Sequence, residues 1–118
     1  MQAARDDSNF LTKNVIVYTF GNMEVRYSKS MEKKLKNVQK SFGSMSKKVQ
    51  LLISILRVAE NLEEVPTSPP ARRHKLQNLE NHWALDVSAN WRMIIRGMDG
   101  TEPSAIEIVE VTSIEDYH

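Results

Sequence analysis

The stretch HWALDVSANWRMIIRG, residues 82–97, has the most regular pattern in the sequence. A period of two in large apolar residues is typical of strands that bury one face. Ser88, Ala89 and Asn90 in the middle are enough only for a turn. The stretch therefore predicts two antiparallel strands joined by a short turn. The alternating apolar positions are Trp83, Leu85, Val87, Trp91, Met93 and Ile95.

The sequence after this hairpin predicts a third strand. Asp99 and Gly100 are turn-forming residues, and the segment from Ala105 to Val111 is rich in β-branched side chains. Consecutive strands with short connections run antiparallel. A three-stranded meander is therefore expected at the C-terminal end.

The region before the hairpin has the helical period instead. Ser28 or Ser30 can cap a first helix, which Gly43 ends, and a second helix is predicted from about Met45 to Leu62. Prolines after the second helix forbid its continuation. The apolar positions of the first helix are Met31, Leu35, Val38 and Phe42. The prolines are Pro66, Pro69 and Pro70.

These elements predict an α+β fold with a two-helix hairpin packed on an antiparallel sheet. Val15–Phe20 is predicted to be a strand, and Gly21–Asn22 a hairpin turn that leads into Met23–Tyr27. The fold thus begins with a strand or a hairpin and ends with the meander. Residues 1–12 are expected to be a flexible polar tail, and residues 13–118 a single domain.

The composition is that of an ordinary globular protein. The chain has 118 residues, of which 41% are hydrophobic and 26% charged, and it has no cysteine. It contains no run of 18 apolar residues and no apolar region near Met1, so we expect no membrane span and no secretory signal. The sequence has no Walker or dinucleotide glycine motif, so no cofactor is expected. The absence of cysteine fits the cytoplasm.

Charge is unevenly distributed along the chain. Eight lysines and arginines and two acids lie between Glu24 and Lys48, whereas residues 101–118 contain five acids and no lysine or arginine. A dense basic segment is usually a solvated helix face. It can also follow a phosphate backbone, because bound phosphates release counterions. The candidate phosphate contacts in this segment are Lys33, Lys36 and Lys40.

Two polar clusters can carry chemistry. Arg72, Arg73, His74 and Lys75 come just before the meander, and the chain ends in Asp-Tyr-His at residues 116–118. Each cluster alone fits a solvated turn or tail. Because the last strand belongs to the sheet that the first cluster enters, the fold can bring the two together.

These residues resemble the HigB ("plasmid maintenance killer") toxins of the RelE/ParE superfamily. The resemblance rests on His74-Lys75-Leu76, on Ala89-Asn90-Trp91-Arg92 and on the terminal Asp-Tyr-His. MEVRYSKSMEKKLKNV, residues 23–38, is similar to the first strand and helix of the superfamily. Gln77 and Asn78 stand where the family has lysine and glycine, and Lys75 is the candidate substitute for that lysine. The resemblance implies a RelE-like fold.

The resemblance also implies a ribosome-dependent mRNA endoribonuclease that works without a metal. RNA cleavage needs a base, an acid and cations facing the phosphorane. Histidine, with an unperturbed pKa of about 6.5, can do either proton transfer, so His74 and His118 are the candidate acid–base pair. The remaining candidates are Arg92 as phosphate clamp, Tyr117 for stacking or proton donation, Asp116 to orient a histidine, and Arg72, Arg73 and Lys75 for phosphate contacts.

Each role has a structural alternative. His74 can be a surface loop residue, and Arg92 can pair with Asp86 across neighbouring strands. Trp83 and Trp91 lie on the apolar side of their strands and fit the core better than base stacking.

The family implies partners as well. They are a helix-turn-helix antitoxin (HigA-like), the ribosome and mRNA, with operator DNA contacted only through the antitoxin, and no membrane. Two other functions stay open. One is a toxin that acts by binding another target, as gyrase-directed members do. The other is a catalytically weak toxin retained in an autoregulatory complex with its antitoxin.

Overall fold

A computed structural model describes residues 22–117. The predicted tail 1–12, the predicted strand Val15–Phe20, Gly21 and His118 lie outside the described residues. The described chain forms a five-stranded sheet with helices on one side, which confirms the α+β prediction. The strands are β1 (Glu24–Tyr27), β2 (His74–Lys75), β3 (His82–Asp86), β4 (Trp91–Gly97) and β5 (Ile108–Asp116), and their order across the sheet is β1-β5-β4-β3-β2.

The meander prediction is confirmed, with β3, β4 and β5 antiparallel. The last strand starts and ends later than expected. Pro103–Ala105 form a 3-10 turn, and Asp99 accepts hydrogen bonds from the backbone nitrogens of Glu107 and Ile108. These contacts hold the chain in a loop up to Glu107, so β5 begins at Ile108 and runs to Asp116.

The sheet is mixed rather than purely antiparallel. β1 runs parallel to β5, with Glu24 opposite Ile108 and Tyr27 opposite Val111. The connection between these two parallel neighbours contains the helices and the strands β2, β3 and β4. At the other edge, His74 and Lys75 pair with β3 as a two-residue strand, which the sequence did not predict.

The first predicted helix is broken into two. Ser28 caps α1 (Lys29–Leu35) by accepting a hydrogen bond from the backbone nitrogen of Met31. Asn37 leaves the helical conformation, with φ −142°, and its side chain caps α2 (Val38–Phe42). Asparagine side chains compete with the helix backbone in this way.

The second helix is shorter than predicted. α3 (Ser46–Val58) ends at Ala59, whose backbone is extended and whose carbonyl accepts a hydrogen bond from the Met23 nitrogen at 2.9 Å. Leu62 belongs instead to a separate 3-10 turn. No helix within residues 22–117 is long and apolar enough to cross a membrane.

The core lies between the helices and one face of the sheet. α1 packs on β5 and β1, and α3 packs on β1. Side chains from both layers are fully or almost fully buried there: Met31, Val49, Leu52, Leu56, Trp83, Leu85, Met93, Ile95, Val109 and Val111. Both tryptophans belong to this core, Trp83 as a buried side chain and Trp91 as a half-buried one. We call this side of the sheet the helix face.

Candidate active site on the polar face of the sheet

The opposite side of the sheet carries three of the five candidate catalytic residues, His74, Arg92 and Tyr117. Strand pairing places Asp86, Arg92 and Glu115 side by side in one row, on β3, β4 and β5. The next row along the strands contains His74, Ala84, Ile94 and Ser113. Directly opposed residues share a face, so both rows lie on the side away from the core. We call this side the polar face.

A β-bulge brings Glu115 into register with Arg92. Ile94 pairs with Ser113, whereas Ile95 pairs with Val111, so Thr112 is the extra residue. The inserted residue shifts the alternation of β5 by one position. Glu115 therefore lies on the polar face.

Asp86 is the anionic centre of the site. One carboxylate oxygen accepts a hydrogen bond from Arg72 Nη1 at 2.6 Å, and the other lies 3.0 Å from Arg92 Nε. The Asp86 side chain is 15% exposed and that of Arg92 17%, whereas that of Arg72 is 52% exposed. The structural alternative for Arg92, pairing with Asp86, is thus what the structure shows.

The pairing of Arg92 with Asp86 is not a well-formed hydrogen bond. The contact is close, but the Nε and the Asp86 Oδ1 are both buried without hydrogen-bond partners among the described residues. The Arg92 Nη1 donates instead to the carbonyls of Ser88, Ala89 and Trp91 at 3.0 to 3.3 Å. Arg92 therefore holds the turn between β3 and β4, which fixes its guanidinium in place.

Tyr117 lies against Arg92. Its ring centroid is 5.5 Å from the Arg92 guanidinium carbon, a cation–π distance, and the residue is 46% exposed. The Tyr117 nitrogen donates to the Asn90 carbonyl at 2.6 Å, which extends the pairing of β5 with the turn. The chain is thus fixed next to the site up to its penultimate residue.

His74 is half-buried at the start of β2. Its Nδ1 lies 2.8 Å from the Arg72 carbonyl. A carbonyl only accepts, so Nδ1 carries the proton, and Nε2 is the acceptor atom of the neutral ring. Two strand spacings of about 4.8 Å each separate the backbones of β2 and β4, so His74 and Arg92 can flank one ligand.

The three C-terminal candidates, Asp116, Tyr117 and His118, are not placed together by the structure. His118, predicted as a catalytic residue, lies outside the described residues. Asp116 lies opposite Trp91, whereas its neighbours Glu115 and Tyr117 border the site on the polar face. The register thus does not bring Asp116 towards the His74 row, where it was expected to orient a histidine.

Arg73 has a different environment from the one expected. Its Nε donates to the Val65 carbonyl at 2.9 Å and its Nη2 to the Glu63 carbonyl at 3.4 Å. Burial lowers the pKa of the Arg73 guanidinium from its ordinary value, and the nearby Glu63 opposes this shift. Arg73 thus ties the 3-10 turn to the start of β2, and its guanidinium is already occupied.

Lys75 also lies away from the site. It is paired with Trp83, and its Nζ is 5.2 Å from the centre of the Trp83 ring. Its side chain is therefore on the helix side of the β2 edge. The expectation that it replaces the family's lysine finds no support in this position.

The lysines of the helices form a separate surface. Lys33 lies on α1, Lys36 directly follows it, and Lys40 lies on α2; all three are exposed. Because these helices cover the helix face, the lysines are separated from Arg92 by the sheet. The basic helices and the candidate active site are thus two surfaces, not one.

Sequence reasoning missed a small pocket beside Arg92. It has a volume of about 300 Å³ and includes Gln77, the residue that the HigB resemblance aligns with a lysine. Glu115 is its most important new member, and its carboxylate accepts a hydrogen bond from Ser113 at 2.7 Å. The alternation of side chains along β5 could have placed Glu115 on this face, but only with knowledge of the bulge at Thr112, which was not predicted. The lining residues are Leu76, Gln77, Asn78, Leu79, Ile94, Glu115 and Tyr117.

The polar face combines a histidine acceptor, two guanidinium groups and a half-exposed aromatic ring. Such a set can accept a proton, face a phosphate and stack on a base. Within residues 22–117 no three histidine, aspartate or glutamate side chains are grouped to hold a metal ion.

At the level of sequence, no family model and no curated protein matches the chain. Solved structures do match. A YoeB/ParE toxin from Agrobacterium tumefaciens superposes with a TM-score of 0.57 at 15% identity, covering 81% of this chain and 100% of that one.

YafQ in the DinJ–YafQ toxin–antitoxin complex of E. coli gives a TM-score of 0.56 at 19% identity. That match covers 80% of this chain and 92% of the other. At such identities the structural similarity shows the fold alone. The chain has the fold of the YoeB/ParE and YafQ toxins.

Proposed function

We propose that this protein is the toxin of a type II toxin–antitoxin system and cleaves mRNA on the ribosome, as the HigB resemblance implies. The observation that carries the proposal is the convergence of His74, Arg92 and Tyr117 on the polar face of a toxin-like fold. These are residues of the motifs that resemble HigB. We place the reaction in the cytoplasm.

The proposed reaction is a metal-independent transesterification. The 2′-oxygen of one ribose attacks the adjacent phosphorus while the bond from phosphorus to the 5′-oxygen breaks, which leaves a 2′,3′-cyclic phosphate and a 5′-hydroxyl. The base takes the 2′-OH proton, and the acid gives a proton to the leaving 5′-oxygen. Each proton transfer is thus matched by one bond change.

His74 is the proposed base, because its Nδ1 is committed to the Arg72 carbonyl and its Nε2 is left as acceptor. With His74 as the base, His118, the other member of the candidate pair, is the proposed acid. Arg92, with Arg72 beside it, stabilises the charge that develops on the phosphorane. The carbonyls that hold Arg92 orient it before substrate arrives, so little reorganisation is needed.

A second function is favoured by two specific observations. The Arg92 Nε already lies against Asp86, and Gln77 replaces the family's lysine. Both features weaken the cationic field at the scissile phosphate. A catalytically weak toxin that acts in complex with its antitoxin is therefore the alternative, and a gyrase-directed toxin is a third outcome of the same test.

The test is induction of the protein in cells with mapping of mRNA 5′ ends. We expect growth arrest and new 5′ ends within open reading frames, and loss of both in His74→Ala and in His118→Ala. Growth arrest without new 5′ ends would reject the ribonuclease and leave the two binding functions. Inhibition of purified gyrase would then distinguish a gyrase-directed toxin from a catalytically weak toxin that acts in complex with its antitoxin.

The partners follow from the same proposal. DinJ–YafQ is a toxin–antitoxin complex, and we expect this chain to bind a small helix-turn-helix antitoxin of the HigA kind. Co-expression with a helix-turn-helix protein encoded next to it is expected to relieve the arrest. Operator DNA is expected to bind the complex and not the toxin alone.

A further inference from the structure

The pocket beside Arg92 has the size and the lining of a site for one small ligand. Its volume of about 300 Å³ is at the lower end of small-molecule pockets. Tyr117 provides an exposed aromatic ring on one side, and Ile94 and Leu79 provide apolar surface. Aromatic rings in single-strand binding proteins stack on nucleic-acid bases in this way.

The polar groups of the pocket have a definite hydrogen-bonding character. Gln77 and Asn78 each present an amide, which both donates and accepts, whereas the Glu115 carboxylate only accepts. Ser113 Oγ donates to one Glu115 oxygen at 2.7 Å, which orients the carboxylate. A ligand with an N–H donor can therefore pair with the other oxygen of Glu115.

Charge disfavours phosphate as the occupant of this pocket. Among residues 22–117 the ionisable groups that line the pocket are Glu115 and Tyr117, so a phosphate would meet a carboxylate and no lysine or arginine of this lining. Arg92, opposite Glu115 in the adjacent strand, faces the position next to the pocket. The arrangement thus places a base in the pocket and its phosphate outside it, at Arg92.

We propose that this pocket holds one unpaired RNA base next to the scissile phosphate, and that Glu115 and Gln77 select a base with an exocyclic amino group. Adenine, cytosine and guanine carry such a group; uracil does not. Carboxylates accept from base amino groups, and glutamine amides pair with the edge of adenine. The inference rests on the proposed function for its substrate and adds a specificity that this function does not contain.

Binding of mononucleotides tests the pocket independently of the ribosome. Amide and methyl NMR spectra of the full chain are titrated with AMP, CMP, GMP and UMP. We expect shifts at Gln77, Asn78, Ile94 and Tyr117, and roughly tenfold weaker binding of UMP than of the other nucleotides. Equal affinity for UMP, or shifts confined to the basic helices, would overturn the inference.

The variant Glu115→Gln tests the selecting group. It keeps the shape of the side chain but adds a donor that can pair with the uracil carbonyl. The difference between UMP and the other nucleotides is then expected to fall to within about threefold, since one discriminating contact is lost. Glu110→Gln is the matched control, because Glu110 lies on the same strand but pairs with Arg96 in another row. It is expected to keep the wild-type preference.

Mapping of mRNA 5′ ends in cells separates this inference from the proposed function. Wild type is expected to avoid uracil at one fixed position relative to the cut, whereas the cuts made by Glu115→Gln are expected to include uracil there. Cuts with no such bias in wild type would reject the pocket and leave the ribonuclease standing. Absence of cuts in wild type, with selective nucleotide binding intact, would reject the ribonuclease and leave the pocket as a nucleotide site.

Discussion

The two faces of the sheet are built from the same strands and differ in almost every other respect. On the helix face Trp83, Leu85 and Met93 are almost completely buried. On the polar face Asp86 and Arg92, their neighbours in sequence, form ion pairs and remain partly exposed. Alternation of side chains along a strand allows this division. We therefore expect substitutions on the helix face to change stability, and those on the polar face to change activity.

The largest expected effect is on the helix face. Leu85→Ala removes a fully buried side chain and should lower the free energy of unfolding by about 2–5 kcal/mol. Urea denaturation followed by circular dichroism measures it. The matched control is Val58→Ala on α3, a side chain that is 72% exposed, for which we expect a change within about 0.5 kcal/mol. A loss below 1 kcal/mol for Leu85→Ala would contradict this description of the core.

The next effect belongs to the polar face. Arg92→Lys keeps the charge but loses the fork that holds the turn carbonyls and faces the phosphate. mRNA cleavage should fall by about 10²–10³-fold, the usual loss for one preorganised group. Arg96→Lys is the control, since Arg96 lies on the same strand and face and pairs with Glu110.

The free energy of unfolding of Arg92→Lys distinguishes the two roles of Arg92, which are to hold the turn between β3 and β4 and to face the phosphate. If Arg92→Lys keeps cleavage and instead destabilises the fold as much as Leu85→Ala, Arg92 is a clamp of the turn. The simple division between the two faces would then be wrong at this residue.

A smaller effect is expected at Asp86, where one substitution should change both stability and RNA binding. Asp86→Asn weakens the ion pairs with Arg72 and Arg92 and should cost about 1–2 kcal/mol of stability, which is less than for a fully buried pair. The freed guanidinium groups should bind RNA more tightly, with a steeper dependence on salt. Thermal unfolding and binding of single-stranded RNA at several salt concentrations measure both. Unchanged RNA affinity would mean that Asp86 does not compete with phosphate.

The helix face could be predicted from sequence much better than the polar face. The apolar alternation of Trp83 to Ile95 fixes which side of each strand is buried, because a slip of one residue would expose all of these side chains. Polar residues give no such constraint. Their neighbours depend on register, and the bulge at Thr112, which decides that Glu115 faces Arg92, has no clear sequence signal.

Local backbone geometry accounts for the other differences. Arg73 and Lys75 belonged to one basic run, yet the structure directs them to Val65 and Trp83. Arg72 has a left-handed backbone, with φ 48°, a conformation that is uncommon outside glycine. The sequence therefore predicted a basic cluster but not the directions of its members.

Position 77 tests whether an added cation at the candidate site raises activity without changing stability. Gln77 lines the pocket beside Tyr117, so Gln77→Lys would place a cation at the site without disturbing the core. We expect cleavage and toxicity to rise severalfold, less than the loss for Arg92→Lys, because an exposed cation is screened by solvent. Growth arrest at matched expression measures it. Thr67→Lys, an exposed substitution in the proline loop, controls for the added charge. No change would mean that position 77 is not catalytic here.

The smallest effect is expected from the third surface, the lysines of the helices. Replacing Lys33, Lys36 and Lys40 by glutamine should change the free energy of unfolding by no more than about 0.5 kcal/mol, because all three are exposed. The same variant should weaken ribosome binding. The slope of the logarithm of the binding constant against the logarithm of salt concentration should become less steep by up to about 2. Arginine at the same positions keeps the charge and should keep the slope.

These lysines lie across the sheet from Arg92, so we expect them to affect binding and not the scissile phosphate. Their loss should then be overcome by raising the ribosome concentration, whereas the loss in Arg92→Lys should persist at saturation. Cleavage measured on purified ribosomes over a range of concentrations distinguishes the two. If the lysine variant also stays slow at saturation, the helices contribute to the chemical step, and the sheet does not separate the two surfaces in function.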